Sequence, residues 1–287
     1  WYGTTYTASG DYMHTLTNRM GCDSLLTLHL TIVSTTCGIA IVAPETQLCQ
    51  LGTMQLTTDH EADYYLWRGT NLTDTIARNP SVTFTTVGQY RYTLDAMYEY
   101  GSNLIYNGDF ELGNTGFVTD YTLQTSAKIS MGEYNVVSTP QAANTNFSNC
   151  DDHGQILVVD GDITDGNLRV FSTEVDVEPD TYYAFSCYVT NIFDRPNSRG
   201  DLPTLADLQF YIAGETFSEV FQPEWTTCEW KQIYKVWYSG TNTHITISLL
   251  NHCAIAYGND FAVDNLTFRP LCVAHDEVNI SVRSEER

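Results

Sequence analysis

Residues 182–189, Tyr182-Tyr-Ala-Phe-Ser-Cys-Tyr-Val189, decide the fold. Aromatic and β-branched residues fill the run, which is too short for a core helix and suits a strand buried on both faces. Similar runs recur on either side with turn residues between them. They are Leu104-Ile-Tyr106, Gln155-Ile-Leu-Val-Val159, Leu168-Arg-Val-Phe171, Leu208-Gln-Phe-Tyr-Ile212, Trp230-Lys-Gln-Ile-Tyr-Lys-Val-Trp237, His244-Ile-Thr-Ile-Ser-Leu-Leu250 and Phe261-Ala-Val-Asp-Asn-Leu-Thr-Phe268. No stretch of useful length with a helical period competes. The count predicts an eight- or nine-stranded jelly roll over residues 102–272.

The segments before it are also β-rich. Tyr12-Met-His-Thr-Leu-Thr17, a turn at Asn18-Arg-Met-Gly21 and Leu25-Leu-Thr-Leu-His-Leu-Thr-Ile-Val33 read as a hairpin, so 1–36 is a partial β module. Two strands alone are marginal in water. Residues 37–101 form a second unit, with Gln55-Leu-Thr-Thr58, Tyr64-Tyr-Leu-Trp67, Ser81-Val-Thr-Phe-Thr-Thr86 and Val87-Gly-Gln-Tyr-Arg-Tyr-Thr-Leu94 as its strands. Its junction with the jelly roll is expected near Tyr100-Gly-Ser-Asn103. Residues 273–287 hold one more alternating run, Val278-Asn-Ile-Ser-Val282, which reads as a tail, a closing strand or the start of a further module.

The chain has 287 residues, enough for two domains and a fragment. Charged residues make up 17% and hydrophobic ones 43%. A net charge of -22 repels phosphate backbones and anionic membranes, so nucleic acid is excluded as a partner. No stretch approaches the 18 apolar residues of a membrane span. Eight cysteines (Cys22, Cys37, Cys49, Cys150, Cys187, Cys228, Cys253 and Cys272) are scattered without CxxC or zinc-finger spacing. In a Thr-rich β chain they point to an oxidising compartment, hence an extracellular or cell-surface location. At least one disulfide is expected among the five from Cys150 onward. The start at Trp1, without Met or leader, reads as an internal or processed piece of a longer exported protein.

Catalytic motifs are absent: there is no HExxH, GxSxG, P-loop or Rossmann glycine pattern. The seven histidines share no metal-ligand spacing. Cys150-Asp-Asp-His153 places a thiol near an imidazole, but a Cys–His pair works through spatial closeness, and successive side chains point apart. Four sequons, at Asn71, Asn146, Asn265 and Asn279, are what a chain this rich in Asn and Thr produces by chance.

Several motifs resemble known families. Tyr6-Thr-Ala-Ser-Gly-Asp-Tyr12, Gly21-Cys-Asp-Ser24 and Leu28-His-Leu-Thr-Ile32 resemble a tandem repeat of secreted Bacteroidetes proteins. The order Cys49, a Trp67 strand and a Gly-x-Tyr-x-Tyr strand resembles immunoglobulin-like or PKD-like spacers. Tyr92 and Thr93 stand where the second immunoglobulin cysteine would be, so Cys49 pairs elsewhere, with Cys37 for example, or stays free. Asn107-Gly-Asp-Phe-Glu-Leu-Gly113 and Gly258-Asn-Asp-Phe-Ala-Val-Asp-Asn-Leu266 resemble the opening and closing strands of galactose-binding-like, carbohydrate-binding-module jelly rolls. Gly132-Glu-Tyr-Asn-Val136 and Leu157-Val-Val-Asp-Gly161 extend that likeness. The fold class so implied is all-β: an Ig/PKD-like sandwich followed by a galactose-binding-like jelly roll.

That resemblance implies a structural calcium ion joining the first and last strands, with Glu111 and Asp264 as ligands and Asp109 nearby. It implies a glycan or polysaccharide partner. Sugar stacking needs flat aromatic faces, for which Tyr188, Trp225 and Trp237 are candidates. The polar loop Asp194-Arg-Pro-Asn-Ser-Arg-Gly-Asp201 offers Arg195 and Arg199 as a ligand rim. The function expected is a non-catalytic, monomeric, extracellular glycan-binding module on a spacer stalk. The alternative is a structural or adhesive surface protein.

Overall fold

The computed structural model describes residues 2–4, 6, 10–17, 23–30, 37–49, 51–150, 154–161, 166–255 and 257–283. The turn at 18–21, Cys22, the run beyond Leu30 and Asp151 to His153 lie outside the described residues. The chain is all-β, with 49% strand and 2% helix. It divides into two compact units, one of residues 1–61, 66–95 and 274–287 and the other of residues 62–65 and 96–273.

In the first unit, β1 (Gly10–Thr17) and β2 (Asp23–Leu30) form an antiparallel hairpin in which Gly10 faces Leu30 and Thr17 faces Asp23. Short strands follow: β3 (Ile41–Val42), β4 (Gln47–Leu48), β5 (Gly52–Gln55), β6 (Thr57–Thr58), β7 (Tyr64–Arg68), β8 (Ser81–Phe84) and β9 (Gly88–Glu99). β3 pairs with β6, β5 with β8, and β7 with β9. Alternation puts Val82, Phe84, Tyr92 and Leu94 inside, beside fully buried Trp67, whose indole N–H donates to the Ala77 carbonyl at 3.0 Å. Residues 274–282 belong to this unit. They pair with β9 and, at Ser281–Gln47, with β4.

The second unit is a β-sandwich. One sheet orders β10 (Thr122–Leu123), β11 (Glu133–Val137), β12 (Ile156–Val159), β19 (Phe261–Val282), β14 (Tyr182–Asn191) and β17 (Lys231–Tyr238). The other orders β13 (Leu168–Asp176), β18 (His244–Asn251), β15 (Leu208–Ile212) and β16 (Glu215–Thr216). Strands close in sequence therefore alternate between sheets, as a jelly roll requires. β14 lies between β19 and β17, so the run that decides the fold is the central strand its continuous apolar pattern demands. Phe185, Val189 and Phe268 from one sheet meet Phe171, Phe210, Ile247 and Leu249 from the other. Phe185 and Phe210 approach to 4.3 Å between ring centres, across the seam where the two sheets interlock.

A satellite core lies on the outer face of the larger sheet. Ile129, Ala143 and Phe147 come from the long connection around a single short helix, α1 (Pro140–Ala143), and cover Ile156, Val158, Ile192 and Ala262. The Cys150–Cys228 disulfide fastens this cover, with Cα atoms 5.1 Å apart. The disulfide expected within the jelly roll is therefore present. Cys37 and Cys272 are also disulfide-bonded, while Cys49, Cys187 and Cys253 are free thiols, so Cys49 does not pair with Cys37. Burial alone pushes the Cys187 thiol out of the titrating range, which makes it a small apolar side chain.

The opening segment docks on β19 through backbone bonds: Leu266 N–H donates to the Gly108 carbonyl and Leu104 N–H to the Phe268 carbonyl, at 2.8 and 2.9 Å. A Cβ on Gly108 would collide with the Leu266 carbonyl oxygen, and backbone cannot step aside. Gly108→Ala is expected to cost about 3 kcal/mol through this overpacking. A thermal melt lowered by less than a few degrees would show that the seam can open without harm.

Candidate functional site

Three features of the second unit bear on chemistry. The first is the seam between opening and closing strands. Asn107, in left-handed backbone (φ 53°), ties the opening turn with its side chain, donating to the carbonyls of Gly113 and Thr115 and accepting from Leu112 N–H. Asn103 accepts from Phe268 N–H at 2.8 Å and donates to the Leu266 carbonyl at 2.9 Å. Asn265, also left-handed (φ 49°), bends β19 at the same level. The turn brings Asp109 and Glu111 within electrostatic reach of Asp264. Asp264 is 1% exposed, and its only hydrogen bonds among the described residues come from Asn265, at 2.7 and 3.1 Å. Burial, reinforced by the charges of Asp109 and Glu111, pushes its carboxyl up to about 7. Glu111 accepts from Gln155 N–H at 2.7 Å and fills the space a side chain at Gly154 would need. No Lys, Arg or His pairs with these three acids among the described residues, and no three His, Cys, Asp or Glu side chains there converge as a ready metal cluster.

A second acid pair lies further along. Asp260, 8% exposed, is hydrogen-bonded to Asp160, and Gly161 N–H donates to it at 3.2 Å. Burial raises both carboxyls, Asp160 to about 6 and Asp260 well above the ordinary value.

The residues expected to stack or rim a sugar do not assemble. Tyr188 is 37% exposed, on β14 opposite Gln232 and Asp264. Trp237 is no free platform: β17 turns it inward, where it packs on the main core within 6.1 Å of the Tyr183 and Phe268 rings. Trp225 is 42% exposed, and its carbonyl accepts from Asn191. Arg195 and Arg199 lie in a loop braced by Asn197, which donates to Asp201 and accepts from Arg199 N–H. No hydrogen bond, ion pair or ring contact joins Tyr188, Arg195, Arg199 and Trp225 among the described residues.

The third feature is the outer face of the four-stranded sheet. Val175, Ile245, Ile247, Leu249, Leu208 and Phe210 face the core, so the residues alternating with them face outward. Those are Ser172 and Glu174 on β13, Thr246, Ser248 and Leu250 on β18, and Gln209 and Tyr211 on β15, in register at Ser172–Ser248–Tyr211 and Glu174–Thr246. The Ser172 and Ser248 hydroxyls bond at 2.9 Å. Segment 116–120 edges this sheet through Val118 N–H to the Ser172 carbonyl. Together they form an open groove of about 640 Å³, lined by Gly116, Phe117, Val118, Arg169, Ser172, Thr173, Glu174 and Thr246. Asp120 grips Arg169 through Nε and Nη2, at 3.0 and 2.5 Å, and also accepts its backbone N–H at 2.8 Å. The alternation of hydroxyl and apolar residues in 244–250 was the signal for this face in the sequence.

No family model matches the chain, and no curated protein does. Among solved structures, the chain is similar to the CBM22-1 xylan-binding domain from Paenibacillus barcinonensis Xyn10C, at 16% identity over 56% of this chain and 90% of that one, TM-score 0.36. It is also similar to a family 16 carbohydrate-binding module (18%, 58% and 99%, TM-score 0.34) and to TmCBM61 in complex with β-1,4-galactotriose (14%, 59% and 99%, TM-score 0.37). Likeness at this level names no ligand. The class that the chain's own topology defines is a jelly-roll β-sandwich.

The buried acids predict how stability varies with pH. Asp264 titrates near 4 when unfolded and at about 7 when folded, so the folded state holds its proton more tightly. The metal-free protein should lose stability as pH rises from 4 to 7, with the full penalty present at pH 8. Asp160 and Asp260 act in the same direction. Asp264→Asn should flatten that part of the melting-temperature profile measured in EDTA. A profile as steep as wild type would mean Asp264 is not the titrating group.

Proposed function

We propose that this chain is a non-catalytic, extracellular glycan-binding module, with the first unit as its spacer. The observation that carries this reading is the outer face of the four-stranded sheet. Thr246, Glu174 and the Asp120-held Arg169 line its open groove, and Tyr211 lies two strands away on the same face. Polyhydroxylated ligands need such a surface: many donors and acceptors at fixed spacing, with an aromatic face for the C–H side of the ring. The disulfides suit an oxidising, extracellular setting. Glycan-array binding and affinity electrophoresis on plant, host and microbial polysaccharides test it. Tyr211→Ala should weaken a detected interaction about tenfold, or 1.4 kcal/mol, and leave the melt nearly unchanged because Tyr211 faces outward. Silence on every glycan would favour the structural or adhesive role instead.

The same reading includes a structural calcium ion. Asp264, Glu111 and Asp109 would hold it together with backbone carbonyls of the two strands. What supports the fit is a buried carboxylate flanked by two more acids with no cation paired to them. A hard divalent ion would relieve that repulsion and close the seam. Binding only the folded state, it should stabilise by about 2.7 kcal/mol at one hundred times its Kd. The melting temperature should drop in EDTA, recover with calcium and not with magnesium, and stop responding in Asp264→Asn. Unchanged melts under chelation would remove the ion from this reading.

A further inference from the structure

The charge arrangement of the groove goes further than its shape. Among the described residues, Arg169 and His244 on the four-stranded sheet's outer side each already have a carboxylate. Arg169 has Asp120 on two of its side-chain nitrogens. His244 sits between Asp176 at 2.7 Å and Glu174 at 3.5 Å, and the Asp176 bond raises its pKa. His252, just past β18, is engaged by Asn167 and the Gly166 carbonyl. The remaining charge on the sheet is negative: Glu174 and Asp176 on β13 share one imidazole, and Glu215 lies on the outermost strand. A net charge of -22 adds a repulsive background that surface salt screens only partly.

Resting on the glycan reading above, we propose that this groove selects uncharged glycans, and that the Arg169–Asp120 fork reads a pair of adjacent hydroxyls. The Nη1 edge of Arg169 makes no hydrogen bond among the described residues and can donate. A carboxylate oxygen of Asp120 can accept from the neighbouring hydroxyl. Two adjacent sugar hydroxyls answer that donor–acceptor pair, whereas the charge of a uronate or sulfate beside Arg169 would lie against the Asp120 carboxylate that already neutralises the guanidinium. Asp120 is then a positioning residue, since it fixes the plane of the guanidinium.

The test uses the whole chain in affinity electrophoresis and calorimetry. Neutral polysaccharides are compared with uronate polymers, and each uronate polymer is run beside its carboxyl-reduced, neutral counterpart, at 20 and 500 mM NaCl. Expected is binding to neutral chains that salt changes less than twofold, and at least tenfold weaker binding to any uronate form than to its reduced form. Glu174→Lys should narrow that gap. Arg169→Lys keeps the charge but not the fork, and should lose most neutral binding while Arg169→Gln loses no more. Equal or tighter binding of a uronate polymer, abolished by salt, would overturn the proposal and leave the glycan reading standing. No binding to any polysaccharide would remove both.

Discussion

The closing strand β19 can receive the opening segment only because residue 108 has no side chain. Hydrogen bonds from Leu266 and Phe268 to residues 103–108 need the two backbones nearly in contact. Once they are, the Asn107 turn fixes Phe110 in the core and swings Asp109 and Glu111 toward Asp264. The sandwich interior and the acid cluster thus share one cause. A strand order alternating between two sheets leaves both edges of the barrel-like wrap exposed unless first and last strands meet. The close approach meets that need and leaves Asp264 buried, where the charges of Asp109 and Glu111 add to the rise in its proton affinity.

Much of this architecture was legible from residue pattern. The apolar run 182–189 reads as a central strand because a strand flanked on both sides has no solvent face to alternate toward. The paired Gly-Asp-Phe and Asn-Asp-Phe motifs mark the opening turn and closing strand, and the structure lays these segments side by side. The binding-residue expectations were less informative for a physical reason. Composition says that an aromatic is present, but which face of a strand it occupies depends on register, and a one-residue difference turns Trp237 inward. The outer face around Tyr211 carries no long aromatic run. Its signature is the modest alternation of Thr246, Ser248 and Leu250, easily taken for a plain solvated surface.

The acid pairs were legible as residues and illegible as chemistry. In a chain with 35 Asp and Glu, no spacing rule singles out Asp160 with Asp260, which are joined only by the pairing of β12 with β19. Their raised proton affinity comes from burial, a property of the folded sheet. The same holds for Asp264, whose neighbours lie more than 150 positions away in sequence.

The Cys150–Cys228 bridge also decides what proteolysis would do to the chain. It spans 78 positions, and the exposed loop around Arg195 to Asp201 lies inside that span. A protease that cuts this loop opens the chain without releasing a fragment. The two halves stay covalently joined by the bridge and held by the β14, β17 and β19 ladder. A nicked molecule would therefore migrate as one species until a reductant separates it into two. A cut at this exposed loop need not take the folded sandwich apart.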